Sequence, residues 1–112
     1  MPDQADVRRL ALAMPEATET PHFERTSFRV RGKIFATMTE GGGAANLALP
    51  PELAASVLET DPAAVAPITS GAIMGWVRVD LDRIAPGLLA SLVAAAWGRV
   101  APKRLIQALA AA

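Results

Sequence analysis

The sequence predicts an α+β domain in which an antiparallel sheet packs on helices, and three observations support this fold class. Apolar residues recur every three to four positions in 3–14 and again after Pro86, as they do on one face of a helix. Residues 28–34 and 76–81 alternate between apolar and polar side chains, which is typical of strands. The predicted order is helix, three strands, helix, strand, helix, and 112 residues suit one domain over 1–112.

The first predicted element is a helix over residues 3–14. Asp3 is a suitable N-cap, and Pro15 ends the helix because proline cannot continue it. Residues 16–21 are predicted to form a loop. A hairpin follows, with strands over 27–31 and 34–38 joined by a tight turn at Gly32-Lys33.

The middle of the chain is predicted from its glycines and prolines. Residues 40–43 form a glycine-rich turn into a third strand over 45–49. Pro51 suits the first turn of a helix over 51–58, and a further helical turn is predicted over 61–65. Residues 67–75 show no clear pattern, and the next predicted strand is 76–81.

Two helices are predicted to complete the domain. The helix that starts at Pro86 carries a broad apolar face, formed by Leu88, Leu89, Leu92, Val93, Ala96, Trp97 and Val100. Pro102 separates it from a terminal helix over 103–110. Leu105, Ile106 and Leu109 of that helix are predicted to pack against the body of the domain.

The composition limits the classes of function. Basic and acidic residues number 11 each, so the net charge is zero and a nucleic-acid role would need local clustering of cations. The absence of cysteine excludes disulfides and thiolate metal sites. No secretory signal or membrane-spanning stretch is recognisable, so we expect a cytoplasmic, monomeric protein without membrane contact.

The candidate binding residues are cations of the predicted hairpin. Arg29, Arg31 and Lys33 alternate with apolar residues, which predicts a basic row on one side of a strand. Arg25 and Arg78 are predicted to extend this row. The alternative is an ordinary solvated strand face, with Asp80 beside Arg78 and Glu24 beside Arg25 as pairing partners.

Three more cations lie near the junction of the last two helices. Arg99, Lys103 and Arg104 either cap a helix end, where the helix dipole favours cations, or form a basic tip beside the hairpin. Trp76 alternates with Arg78 in its strand and is a candidate for stacking on bases. Trp97 falls on a leucine- and alanine-rich helix face and is assigned to the core.

No pattern in the sequence indicates catalysis. His22 is the only histidine and has no partners at a metal-ligand or triad spacing, so a structural role is predicted for it. The glycines at 41–43 precede a strand, whereas phosphate-binding loops lead into a helix. Asp80 and Asp82 lack further carboxylates for a metal site. We therefore predict no enzymatic activity, no cofactor and no metal.

Four segments together resemble the MmcQ/YjbR family of small bacterial proteins. They read HFERTSFRVRGKIFATM, NLALPPEL, WVRVDL and AAWGRVAPKRL, in the order that the family shows. The resemblance implies an α+β fold related in shape to the frataxin-like sandwich. The family is commonly labelled DNA-binding, because its sheet and flanking elements resemble a "double wing" motif, and the resemblance implies no catalytic residue or cofactor.

This chain departs from the family at two places that supply basic residues. Members often carry a lysine in the third strand, where this chain has Ala48. Many have basic residues before the tryptophan of the WVRVDL segment, where this chain has Ile73, Met74 and Gly75. The departures remove two contributions to a cationic face.

The sequence therefore predicts a small binding domain with weak, mostly sequence-nonspecific affinity for DNA or another nucleic acid. The predicted phosphate contacts and supporting residues are Arg25, Arg29, Arg31, Lys33, Trp76, Arg78, Lys103 and Arg104. The alternative is a protein-interaction module that uses the hairpin edge or the apolar segment 68–76.

Overall fold

Six strands and four helices build the domain in the computed structural model, which describes residues 2–22, 25–39, 41–68 and 75–111. In chain order the elements are α1 (Gln4–Leu12), β1 (Ala17–His22), β2 (Arg25–Val30), β3 (Lys33–Thr39), β4 (Ala44–Ala48), α2 (Pro51–Thr60), β5 (Val65–Pro67), β6 (Trp76–Asp80), α3 (Pro86–Val100) and α4 (Lys103–Ala111). This confirms the predicted α+β fold class.

The strands form one sheet in the order β1-β2-β3-β4-β6-β5, and every neighbouring pair is antiparallel. The two edge strands are unfavourable templates for another chain. Strand β1 contains Pro21, and β5 has three residues that end at Pro67. Proline at an edge lacks the N–H that a further strand would need.

The sheet has two different faces, which we call the first and the second. Paired residues of the first face include Phe28, Ala36, Leu47 and Val77, and all four are buried. Helices α1 and α3 cover this face and supply Val7, Ala11, Leu89, Leu92, Val93, Ala96 and Trp97 to the same core. The second face carries the alternate residues of each strand.

Local signals explain the helix boundaries. Asp3 caps α1 through its side chain, and Asp6 returns the hydrogen bond to the backbone of Asp3, which completes a capping box. Pro51 and Pro86 open α2 and α3 at their first positions, as predicted. Trp97 is 2% exposed, and its indole N–H donates to the backbone oxygen of Pro15 at 3.0 Å, which confirms its predicted place in the core.

The predicted loop over residues 16–21 is wrong, because the chain forms strand β1 there. Its core-side position opposite Phe28 is Glu19, a residue that an alternating apolar pattern does not contain. Arg8 of α1 satisfies this carboxylate, with its Nε 2.9 Å from Oε1, and the hydroxyl of Thr26 donates to Oε2 at 2.8 Å. An ion pair therefore replaces the expected apolar contact.

The segment after α2 agrees with the prediction, and the terminal helix differs from it in part. Residues 61–65 form the predicted helical turn, in which the backbone N–H of Val65 donates to the backbone oxygen of Asp61 at 3.0 Å, and Val65 then begins the short strand β5 opposite Val79. In α4, Leu105 packs against the core, whereas Ile106 and Leu109 are 36% and 44% exposed. The prediction that all three residues pack against the body is wrong for the last two.

No helix in the described part of the chain is long and apolar enough to cross a membrane. Most of the segment that showed no clear sequence pattern, residues 69–74, lies outside the described residues. Ile73 and Met74 belong to this segment. Glu24, the predicted partner of Arg25, also lies outside the described residues.

Candidate functional site

The hairpin turn separates the cations that the sequence places in one row. Arg31 and Gly32 form the turn with φ angles of 51° and 82°, the positive values that a two-residue hairpin loop of type I′ requires. Arg31 therefore lies outside the strand. Its guanidinium contacts the carboxylate of Glu16, with Nε 3.2 Å from Oε1.

Lys33 and Arg29 lie on opposite faces of the sheet. Lys33 is paired with Val30, whose side chain is in the core, so it belongs to the edge of the first face. Arg29 is paired with Ile34 on the second face. The predicted single row of Arg29, Arg31 and Lys33 is therefore wrong.

A β-bulge follows the turn and adapts β3 to the core. The register shifts between Phe28 and Arg29, so that Ala36 lies opposite Phe28 and Phe35 is the extra residue. Phe35 and Ala36 are both fully buried, although they are adjacent in a strand.

A row of polar side chains crosses the second face. Register places Thr20, Ser27, Thr37, Asn46 and Arg78 side by side on five successive strands. The hydroxyl of Ser27 donates to the backbone oxygen of Thr20 at 3.1 Å, and Asn46 Nδ2 donates to Thr37 Oγ1 at 3.2 Å. Sequence analysis missed this polar row, although alternation within each strand indicates it.

Three of the predicted arginines lie on the second face, and we call Arg25, Arg29 and Arg78 the face arginines. Arg25 and Arg78 are exposed, and Arg29 is half-buried with its Nε donating to Ser27 Oγ at 3.1 Å. Arg25 and Arg29 are four residues apart on β2, which separates their Cα atoms by about 13 Å. Three strand spacings separate β2 from β6, or about 14 Å.

The described strands place one carboxylate on this face, Asp80 of β6, and it already has partners. Its Oδ2 lies 3.4 Å from Nε of Arg83, and its Oδ1 accepts a hydrogen bond from the backbone N–H of Asp82 at 3.0 Å. The predicted pairing of Asp80 with Arg78 is not present. Within the described ranges, no carboxylate pairs with any face arginine.

Trp76 lies beside one face arginine and away from the other two. It is half-buried, opposite Ala48, and two residues from Arg78 on the same face of β6. Three strand spacings separate it from Arg29. Any stacking by Trp76 would therefore accompany Arg78.

Lys103 and Arg104 lie in the first turn of α4 and are exposed. The dipole of α4 itself does not favour cations at this end, and Lys103 follows the end of α3 by three residues. Arg99 does lie in the last turn of α3, where its Nη1 donates to the backbone oxygen of Leu49 at 2.8 Å.

The proposed alternative surface, the hairpin edge, is not free. Strand β2 pairs with β1 on one side, and β3 pairs with β4 on the other. The hairpin therefore lies inside the sheet and offers no edge for strand addition. His22 ends β1 opposite Arg25. Among the residues that the structure describes, no three His, Cys, Asp or Glu residues form a group that could hold a metal ion.

Comparison with known proteins gives a family and a fold. The family model described as YjbR matches residues 12–99. A crystal structure of Deinococcus radiodurans protein DR2400, whose domain is described as DUF419, is similar with a TM-score of 0.77 and 24% sequence identity. The similarity covers 87% of this chain and 77% of that chain. A search of curated proteins finds no match.

Proposed function

We propose, from the premise that the chain belongs to the YjbR family, that the second face of its sheet binds the phosphate backbone of nucleic acid. The observation that carries the proposal is the set of face arginines. They share one side of the sheet, have no carboxylate partner among the described residues, and neighbour hydroxyl and amide groups that also bind phosphate oxygens.

The contacts suit a weak interaction with little dependence on sequence. The net charge of the protein is zero, so long-range attraction does not assist the encounter. No helix in the described ranges carries a continuous polar and basic face of the kind that reads bases in a major groove. The analogy with the double-wing motif agrees with the proposal but adds little weight, since fold does not determine function.

The salt dependence of binding tests the proposal. Three phosphate contacts should weaken duplex binding about 40-fold, and single-strand binding about 20-fold, between 50 and 200 mM salt. Fluorescence anisotropy of labelled oligonucleotides measures both values. Absence of binding at the lower salt concentration would refute the proposal.

Matched variants locate the surface. Arg25→Gln and Arg78→Gln should each reduce the slope of log affinity against log salt by about one contact. Arg31→Gln and Lys33→Gln remove the same charge from the turn and from the other face, and they should leave the slope unchanged. Equal losses in all four variants would indicate nonspecific attraction to the whole protein instead.

A further inference from the structure

A shallow depression lies beside Arg78 on the second face. Its volume is about 170 Å³, and its lining includes Pro62, Ala63, Ala66, Arg78 and Asp80. Ala66 is paired with Arg78 across β5 and β6, so the depression lies at the β5 side of the sheet. The side chains that line it from the 62–66 segment are small and apolar.

The size of the depression limits what it can hold. Sites for drug-sized ligands have volumes of about 300–1,000 Å³, so this depression suits a smaller group. Small apolar walls accept a flat ring, and because the depression is shallow, the rest of a longer chain can extend out of it.

The two charged groups of the depression have different requirements. Arg78 is exposed and has donors available for a phosphate. Asp80 is an acceptor only, and each of its oxygens keeps a lone pair beyond the contacts with Asp82 and Arg83. The two residues alternate on one strand, so their Cα atoms lie about 7 Å apart. A ligand must therefore bring an anion and, a short distance away, N–H donors.

We propose that this depression binds one unstacked base of a nucleic-acid single strand, with guanine preferred, and this inference rests on the proposed function. Arg78 binds the phosphate of that nucleotide, and the carboxylate of Asp80 accepts from its base. Guanine places its N1–H and its N2 amino group side by side, so both can donate to one carboxylate. Thymine has a single N3–H between two carbonyl oxygens, which Asp80 repels.

The experiment compares oligothymidylate with the same strand carrying one central guanine, by anisotropy at about 50 mM salt. A good bidentate contact discriminates between bases by at least about fivefold in affinity, and this is the expected preference. Binding of both strands with equal affinity would overturn the inference and leave the proposed function intact. If neither strand bound, both the proposed function and this inference would be refuted.

Two variants connect the preference to the depression. Asp80→Asn should abolish the guanine preference, whereas Asp82→Asn, an equal change of charge at a neighbouring exposed residue, should keep it. The ratio of the two affinities is the readout, because both variants also reduce repulsion of the backbone. Ala66→Leu fills the depression from an exposed position and should remove the preference too. A preference that survives in Asp80→Asn and Ala66→Leu would contradict the assignment.

Discussion

The two faces of the sheet use neighbouring residues of the same strands for different purposes. Phe28 of β2 is fully buried under the helices, and the next residue, Arg29, lies half-buried on the second face. On β6, Val77 and Val79 fill the core while Trp76, Arg78 and Asp80 occupy the other side. The first face thus stabilises the fold, and the second holds side chains that its packing does not require.

The difference shows where stability and binding separate. Side chains of the first face contact α1 and α3, so their burial supplies most of the free energy of folding. The second face holds the face arginines on paired strands, and among the described residues none of them forms an ion pair. Substitutions on one face should therefore change stability, and substitutions on the other should change binding.

Adjacent residues of β2 give the most direct test of this separation. Phe28→Ala should lower the free energy of unfolding by about 3–5 kcal/mol, because it removes a buried ring and leaves a cavity. Arg29→Gln should cost about 1 kcal/mol or less, since it removes one hydrogen bond at a half-buried position. Urea denaturation followed by circular dichroism measures both. Similar losses in the two variants would show that the second face also carries the fold.

Much of this architecture follows from local patterns. Period-two alternation predicts β2 and β6, glycine and proline turn signals delimit β3 and β4, and the spacing of leucine, valine and tryptophan after Pro86 predicts α3. Strand β1 could not be predicted in this way, because its core-side residue Glu19 depends on Arg8 from a different element. A strand whose core-side position holds a charged residue lacks apolar alternation. Its sequence therefore resembles that of a loop.

The candidate site was only partly predictable for a related reason. A tight turn at residues 31–32 and one at 32–33 have similar sequence signals, yet a shift of one residue sends Lys33 to the other face. Arg25 and Arg29 share a face because they are an even number of residues apart on one strand, and this can be predicted from the sequence. The position of Arg78 on that face depends on pairing between β4 and β6, which are separated by α2 and β5 in the chain.

A substitution at Gly75 tests whether the start of β6 is fixed in position. The residues of β6 contribute to both faces of the sheet, so the difference between the faces depends on that position. The φ angle of Gly75 is 93°, its backbone oxygen accepts from the N–H of Leu49 at 2.9 Å, and an added Cβ would clash with the Leu49 backbone oxygen and lie 2.6 Å from Arg99 Nη1. Gly75→Ala should therefore lower the free energy of unfolding by about 2–4 kcal/mol. Thermal unfolding measures this loss.

Gly32→Ala is the matched control for that clash. Gly32 has a φ of 82° but nothing within 4 Å of an added Cβ, so only the strain of the left-handed conformation remains, about 1–2 kcal/mol. An equal loss at both glycines would mean that the contact with Leu49 and Arg99 does not constrain β6.

The ion pair beneath α1 is the polar exception on the first face, and pH isolates its contribution. The pKa of Glu19 is lowered in the folded protein, chiefly by its hydrogen bond from Arg8. Burial opposes this with a smaller effect, and the hydrogen bond from Thr26 lowers the pKa further. A lowered pKa stabilises the fold above the pKa of the unfolded chain, about 4.3 for glutamate, and this stabilisation is lost as the pH falls through the folded value. Glu19→Gln should therefore cost about 1 kcal/mol at pH 7 and less in acid.

Urea titrations of the wild type and of Glu19→Gln at a series of pH values between about 7 and 3 measure the effect. Glu16→Gln serves as the control, because Glu16 forms an exposed pair with Arg31, in which both side chains are nearly half exposed. Such pairs contribute about 0.5 kcal/mol or less, so this variant should follow the wild type. If the difference between the wild type and Glu19→Gln stayed constant down to pH 3, the carboxylate would not be the group that Arg8 and Thr26 stabilise.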